Sequence, residues 1–173
     1  MANEIGYWNS GAGASTQNAF AGDSIGPVQS AVHAAGAGET ITAIRFNVSN
    51  IGSTTTAKVG LFQTSAGLPT GAPVQTYTFT GLSGNGVKSA SVSWALTNGV
   101  SYALVLGETN AILQVSGDSL ASGSTYDDIT GDLSTYTHRS YKALQIELAG
   151  DITTSSSPVL PALLATVTRR IGA

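Results

Sequence analysis

The stretch Thr42-Ala43-Ile44-Arg45-Phe46-Asn47-Val48 puts Ile44, Phe46 and Val48 on one side of an extended chain and Arg45 and Asn47 on the other. A period of two marks a half-buried β-strand and not a helix. The same reading repeats downstream. Val59 and Leu61 oppose Lys58, with Phe62 out of phase, and Tyr77 and Phe79 oppose Thr76, Thr78 and Thr80. Ala90, Val92 and Trp94 alternate with Ser89, Ser91 and Ser93, then Tyr102, Leu104 and Leu106 with Ala103 and Val105. Trp94, on an apolar face among small serines, reads as core. Residues 28–34, 111–116 and 143–149 add further strands, bringing the expected count to about eight.

Turn formers separate these runs: Gly52-Ser53, the loop Gly67-Leu68-Pro69-Thr70-Gly71-Ala72-Pro73, residues 81–86, Asn98-Gly99 and Gly107. Asn-Gly supplies the positive φ angles of two-residue hairpins, so residues 96–102 are expected to form a tight reversal between neighbouring strands. Before residue 158 no sustained i, i+3, i+4 apolar pattern occurs. Short strands with a turn every ten or so residues predict an all-β chain: an antiparallel β-sandwich, jelly-roll-like, with a short C-terminal arm or helix.

The 173 residues fit one domain with a core large enough to stand without staples, and there is no cysteine to form any. That excludes disulfides, thiolate metal sites and cysteine nucleophiles. Met1-Ala2-Asn3-Glu4 opens without a basic stretch and apolar run, so no signal peptide is read, and no stretch is long enough to span a membrane. Seven Lys and Arg stand against ten Asp and Glu, a net charge of −3. The basic residues of the sandwich are scattered, whereas a nucleic-acid partner needs clustered cations, so that class is discarded. Charged residues make up 10% of the chain, which leaves strand faces rich in hydroxyls and suited to packing in an assembly or to life outside the cell.

The runs Ile41-Thr42-Ala43-Ile44-Arg45-Phe46-Asn47-Val48, Val59-Gly60-Leu61-Phe62-Gln63-Thr64, Gly67-Leu68-Pro69-Thr70-Gly71 and Leu96-Thr97-Asn98-Gly99-Val100-Ser101-Tyr102-Ala103-Leu104-Val105-Leu106 resemble a jelly-roll module of bacteria and phages. It occurs in the choice-of-anchor type repeats, named after C-terminal sorting anchors, and in phage capsid and tail accessory proteins. The resemblance covers residues 25–110, departs from the family in the Pro69-Thr70-Gly71 step, and implies a scaffold without catalytic residues.

Candidate chemistry is sparse. His33 and His138 have no His or Cys partner at ligand spacing. His33 reads as a structural strand residue. No Gly-x-Ser-x-Gly elbow presents a nucleophile, no cofactor is implied and no enzyme is expected. Asp127, Asp128 and Asp132 offer oxygens of the kind calcium takes, but their spacing is not that of an EF-hand, so a solvated turn is expected there instead of a metal. Residues 117–140 are long for a connection, which makes them functional or the holder of a further element, with Ser124-Thr125-Tyr126 as the candidate short strand. If the module binds a glycan, Tyr126, Asp127, Asp128, Tyr136, His138 and Arg139 combine stacking faces with hydrogen-bonding groups on that loop.

Tyr7 and Trp8 precede a glycine-rich stretch and need burial, for which an extra strand on the same domain is favoured. At the other end, Thr153-Thr154-Ser155-Ser156-Ser157-Pro158 has the composition of a linker. Beyond it Leu160, Leu163, Leu164, Val167 and Ile171 make one helical stripe, with Arg169 and Arg170 in its last turn. So short a helix is marginal alone in water and needs a surface to dock on: its own sandwich, a second copy or another protein. The domain reading is an N-terminal strand or flexible segment at 1–24, a sandwich at 25–150, and a linker with docking arm at 151–173. The expected function is that of a virion structural protein, made in the host cytoplasm, with other virion proteins and itself as partners. The alternative is a carbohydrate-binding or adhesion module at a cell surface.

Overall fold

The computed structural model describes residues 3–8, 28–29, 32–107, 113–115, 117–119, 125–130, 137–142 and 144–155. Its strands, in chain order, are β1 (Asn3–Tyr7), β2 (Val28–Gln29), β3 (His33–Ala34), β4 (Glu39–Asn50), β5 (Thr56–Ser65), β6 (Leu68–Thr80) and β7 (Gly86–Ala95). There follow β8 (Ser101–Gly107), β9 (Gln114–Val115), β10 (Gly117–Ser119), β11 (Thr125–Thr130), β12 (Thr137–Lys142), β13 (Leu144–Ile146) and β14 (Leu148–Thr154). Among the described residues there is no helix.

Sheet I runs β1-β14-β4-β7, with the short β9 beside β4; sheet II runs β12-β11-β2-β8-β5-β6, with β3 also on β8. Every pairing is antiparallel, and the main ones are nested. β5 pairs with β6, β4 with β7, β2 and β3 with β8, and β1 with β14. One long antiparallel ribbon, folded so that alternate strand pairs fall in opposite sheets, gives this order, and it is a jelly roll. The tip of the ribbon is the turn at Ala66 and Gly67, where φ is 51° and 84°. Positive φ at both central residues is what a type I′ hairpin requires, and Ser65 pairs directly with Leu68 across it.

The core lies between the sheets. Ile44, Phe46 and Val48 of β4 meet Val59 and Leu61 of β5, Phe79 of β6, Trp94 of β7, Tyr102, Leu104 and Leu106 of β8, Ile5 of β1, and Leu148 and Ile152 of β14. Ile41 joins them although it is three residues from Ile44, because the register of β4 shifts between Ile41 and Ala43 and resets the alternation. Phe46 and Phe79 pack edge to face across the sheets, ring centroids 5.0 Å apart at 85°.

Three sequence expectations are corrected. The 67–73 loop is strand from Leu68 onward. Gln63 pairs with Thr70 and Leu61 with Gln75, so residues 71–74 bulge from the sheet edge while pairing resumes on both sides. Both prolines fall on this strand, which among the described residues pairs only with β5, so that positions on its other side lie outside the ladder. Asn98-Gly99 does form a turn, with the Val100 N–H donating to the Thr97 carbonyl at 3.1 Å, but it links β7 of sheet I to β8 of sheet II and not two neighbours in a sheet. The 117–140 stretch, read as a connection with one short strand at 124–126, holds three strands: β10, β11 (Thr125–Thr130) and β12. At the chain's two ends, β1 supplies the extra strand ahead of Trp8, and β14 continues past residue 150 to Thr154.

Candidate functional site

β11 and β12 pair over their full length, and β11 joins sheet II where Asp128 meets Val28 of β2. The register brings together most of the residues that the sequence offers for glycan recognition. Asp128 lies directly opposite Arg139, Asp127 opposite Ser140, Tyr126 opposite Tyr141, and His138 opposite Ile129. Successive strand positions fall on opposite faces, so the Tyr126–Tyr141 and Asp128–Arg139 positions share one face of this strand pair and the Asp127–Ser140 and Ile129–His138 positions the other. Tyr136 and Asp132 lie outside the described residues, as do Leu160, Leu163, Leu164, Val167, Arg169, Arg170 and Ile171 of the arm. Asp127 and Asp128 occupy consecutive strand positions and not an acidic turn. Among the described residues no group of three or more His, Cys, Asp or Glu is placed to hold a metal ion, and no helix is long and apolar enough to cross a membrane.

A second constellation, invisible in the sequence, occupies the outer face of sheet I. Arg45 projects from β4 between two neighbours that reach it from the ends of the chain: its guanidinium donates to Glu4 of β1 at 2.9 Å and to Asp151 of β14. The same guanidinium lies 4.8 Å from the centroid of the Trp8 ring. Stacking of a delocalised cation on indole while both edges meet carboxylates uses what arginine has and lysine lacks. Beside it the Asn47 side chain donates to the fully buried Glu147 at 2.6 Å. Trp8 was expected to be buried with an added strand; what holds it is a cation on the outside of the sheet.

At the opposite end of the sandwich, His33 Nε2 donates to Glu39 Oε2 at 2.7 Å, and the Gly36 N–H donates to the same oxygen at 2.9 Å. The bond from His33 holds the Glu39 carboxyl below the ordinary value of 4.5, aided by the Gly36 N–H and the histidine's charge and opposed by burial. Because the folded-state pKa is depressed, ionised Glu39 stabilises the fold above the ordinary carboxylate value. That contribution is lost as pH falls through the lowered one. Glu39→Gln is therefore expected to flatten the fall of Tm with pH below about 4.5 while leaving the neutral-pH slope unchanged. A Tm titration identical to that of the parent protein would show that the pair contributes nothing. His33 is thus a structural strand residue, as its surroundings in the sequence suggested.

Comparison of the chain with protein-family models, with curated proteins and with solved structures finds no match. The functional reading therefore rests on the residues and on their arrangement.

Proposed function

We propose that the chain is a non-enzymatic structural protein of a phage virion, a capsid-decoration, head-fibre or tail accessory subunit, which displays its β-sandwich and attaches by a terminal segment. The observation that carries the reading is that, among the described residues, the nested strand pairs close where β14, ending at Thr154, pairs with β1. Beyond that point the sequence carries the apolar stripe from Leu160 to Ile171, a segment suited to attachment. The ionic groups of the sandwich support a scaffold. Arg45 pairs with Glu4 and Asp151, His33 with Glu39, and Asn47 with Glu147. The resemblance of residues 25–110 to phage accessory modules points the same way.

Deletion of residues 156–173 is expected to leave a cooperatively unfolding domain that no longer enters particles when co-expressed with the other virion proteins. Incorporation at the full-length level would refute attachment through this segment. A glycan-binding role is the second reading, favoured by the register that sets Asp128 opposite Arg139, on the same face as Tyr126 two positions away. For that role, Tyr136→Ala is expected to lower glycan-array binding at least tenfold without lowering Tm, since a stacking aromatic contributes to contact and not to the core. An array on which the parent protein binds nothing would remove this reading.

A further inference from the structure

The edge of β14 holds β1 through contacts that discriminate its sequence. Pairing runs from Asn3 opposite Ile152 to Tyr7 opposite Leu148. Main-chain bonds of this kind give affinity to an added strand, and pockets for alternate side chains give specificity. Ile5 lies opposite Gly150, where an added Cβ would come 2.9 Å from Ile5 Cγ2 and 3.0 Å from Ile41 Cγ2. The bare glycine is therefore the floor of a socket, which Ile5 fills while completely shielded. The next position has room only for glycine, because a Cβ on Gly6 meets the Leu148 carbonyl oxygen. On the outer face Arg45 binds Glu4 at 2.9 Å and lies 4.8 Å from the centroid of the Trp8 ring. Together β14 and β4 form a groove suited to an extended Glu-Ile-Gly-x-Trp segment.

We infer that this groove exchanges its occupant, and that on assembly it takes β1 of a second copy of the chain. The contacts that seat the strand belong to residues 3–8, so they are the same whether the segment comes from its own subunit or from a neighbour. Exchange of an identical element is for that reason a low-cost route to association. The length of chain permits it. β1 faces β8 across the sandwich, and β2 is a strand beside β8. Between Trp8 and Val28 lie one sheet separation of about 10 Å, one strand spacing of about 5 Å and at most the length of β8, about 23 Å. Residues 9–27 allow a separation of about 60 Å, so a large part of that reach is not needed within one subunit. A domain of this size is about 40 Å across, which puts the groove of an adjacent copy within range. In dilute solution the tether holds the chain's own strand near its groove at an effective concentration of roughly millimolar, and the subunit stays closed. Where copies stand side by side, that advantage disappears.

The exchange rests on the proposed assembly role for the crowding that drives it, but two full-length variants test it without any virion protein. Gly6→Ala spoils the strand and leaves the groove, whereas Gly150→Val fills the socket and leaves the strand. Each alone is expected to sediment as a monomer. Mixed at about 100 µM they are expected to form a 1:1 dimer. If the strand is seated roughly a hundredfold within one subunit, the effective concentration above sets a Kd of about 10–100 µM. Ile5→Asp replaces Gly6→Ala if that chain folds poorly. A fluorescein-labelled peptide with the sequence of residues 2–9 provides a measurement that does not need the Gly150 variant. It is expected to bind the Gly6→Ala chain, and to bind at least tenfold more weakly when it carries Ile5→Ala or Glu4→Lys. No binding of the parent peptide overturns the inference, and equal binding of the substituted peptides shows that the groove reads no sequence and overturns it too. A groove that takes the peptide but leaves the two chains monomeric in the mixture belongs to a strand of another protein. Dimers formed by the Gly6→Ala chain alone assign association to a different surface, and either result overturns exchange between copies. Entry into particles is judged separately by the deletion of residues 156–173, so failure here is distinct from failure of the proposed function.

Discussion

Replacement of Phe46 by alanine is expected to lower the unfolding free energy by about 3–5 kcal/mol, the range for truncating a fully buried aromatic. Phe46 is completely shielded and lies in β4, which is held on both sides, by β14 and by β7. Strands fixed in this way cannot close in on the vacated volume, so the site keeps most of its cavity and the loss falls toward the upper end. The edge-to-face contact with Phe79 is lost at the same time and adds about 0.5–1.5 kcal/mol to the area effect. Urea denaturation reads the result as a shift of midpoint at constant slope. A loss below 1 kcal/mol would mean that the two sheets are not locked together at this point.

Gly6→Ala is expected to be nearly as damaging, by another route. Gly6 has a φ of 90°, and a Cβ built on it comes 2.1 Å from the Leu148 carbonyl oxygen. Backbone atoms of a paired strand cannot give way by that much, so β1 must leave β14. Departure of β1 uncovers Ile5, which is completely shielded, and takes Glu4 and Trp8 away from Arg45. The expected loss is about 3 kcal/mol, and it saturates at the docking free energy of β1, because the strand peels away before the rest unfolds. Two readouts identify the mechanism: a red shift of Trp8 emission under native conditions, and fast hydrogen exchange confined to β1 and β14. An unchanged spectrum with an unchanged Tm would contradict the pairing of these strands.

The sandwich was legible in the sequence because its evidence is local. Alternation in β4, β5, β7 and β8 shows directly which residues face inward, and the tight turns announce themselves by glycine. The difficulties came from effects that alternation does not contain. A bulge at the start of β4 let Ile41 and Ile44 share the core, a phase shift set by the partner strand. Prolines made residues 67–73 look like a loop, yet an edge strand with one free side tolerates them. Asn98-Gly99 fixed a turn without revealing that its flanks belong to different sheets. Phe62 looked like a defect in the alternation of β5 and is instead the mark of a sheet covered twice. The Arg45 cluster was beyond sequence reasoning altogether. Its acids lie 41 and 106 positions away, and only the pairing of the first strand with the last brings them to one arginine. For the glycan candidates the sequence named the residue types but not the hairpin that opposes Asp128 to Arg139.

The nesting of the strand pairs has an entropic consequence. Once β5 and β6 have closed at Ala66 and Gly67, each outer pair closes a loop already shortened by the pair inside it, and the penalty grows only with the logarithm of the chain left free. Everything between β8 and β14, including β11 and β12, lies inside the last and widest of these closures. Doubling its length would add about 0.6 kcal/mol to the closure. The span costs little in length, but not in composition: it carries Leu113 and Val115 into the core and Glu147 to Asn47, so insertions are tolerated between these fixed points and not at them.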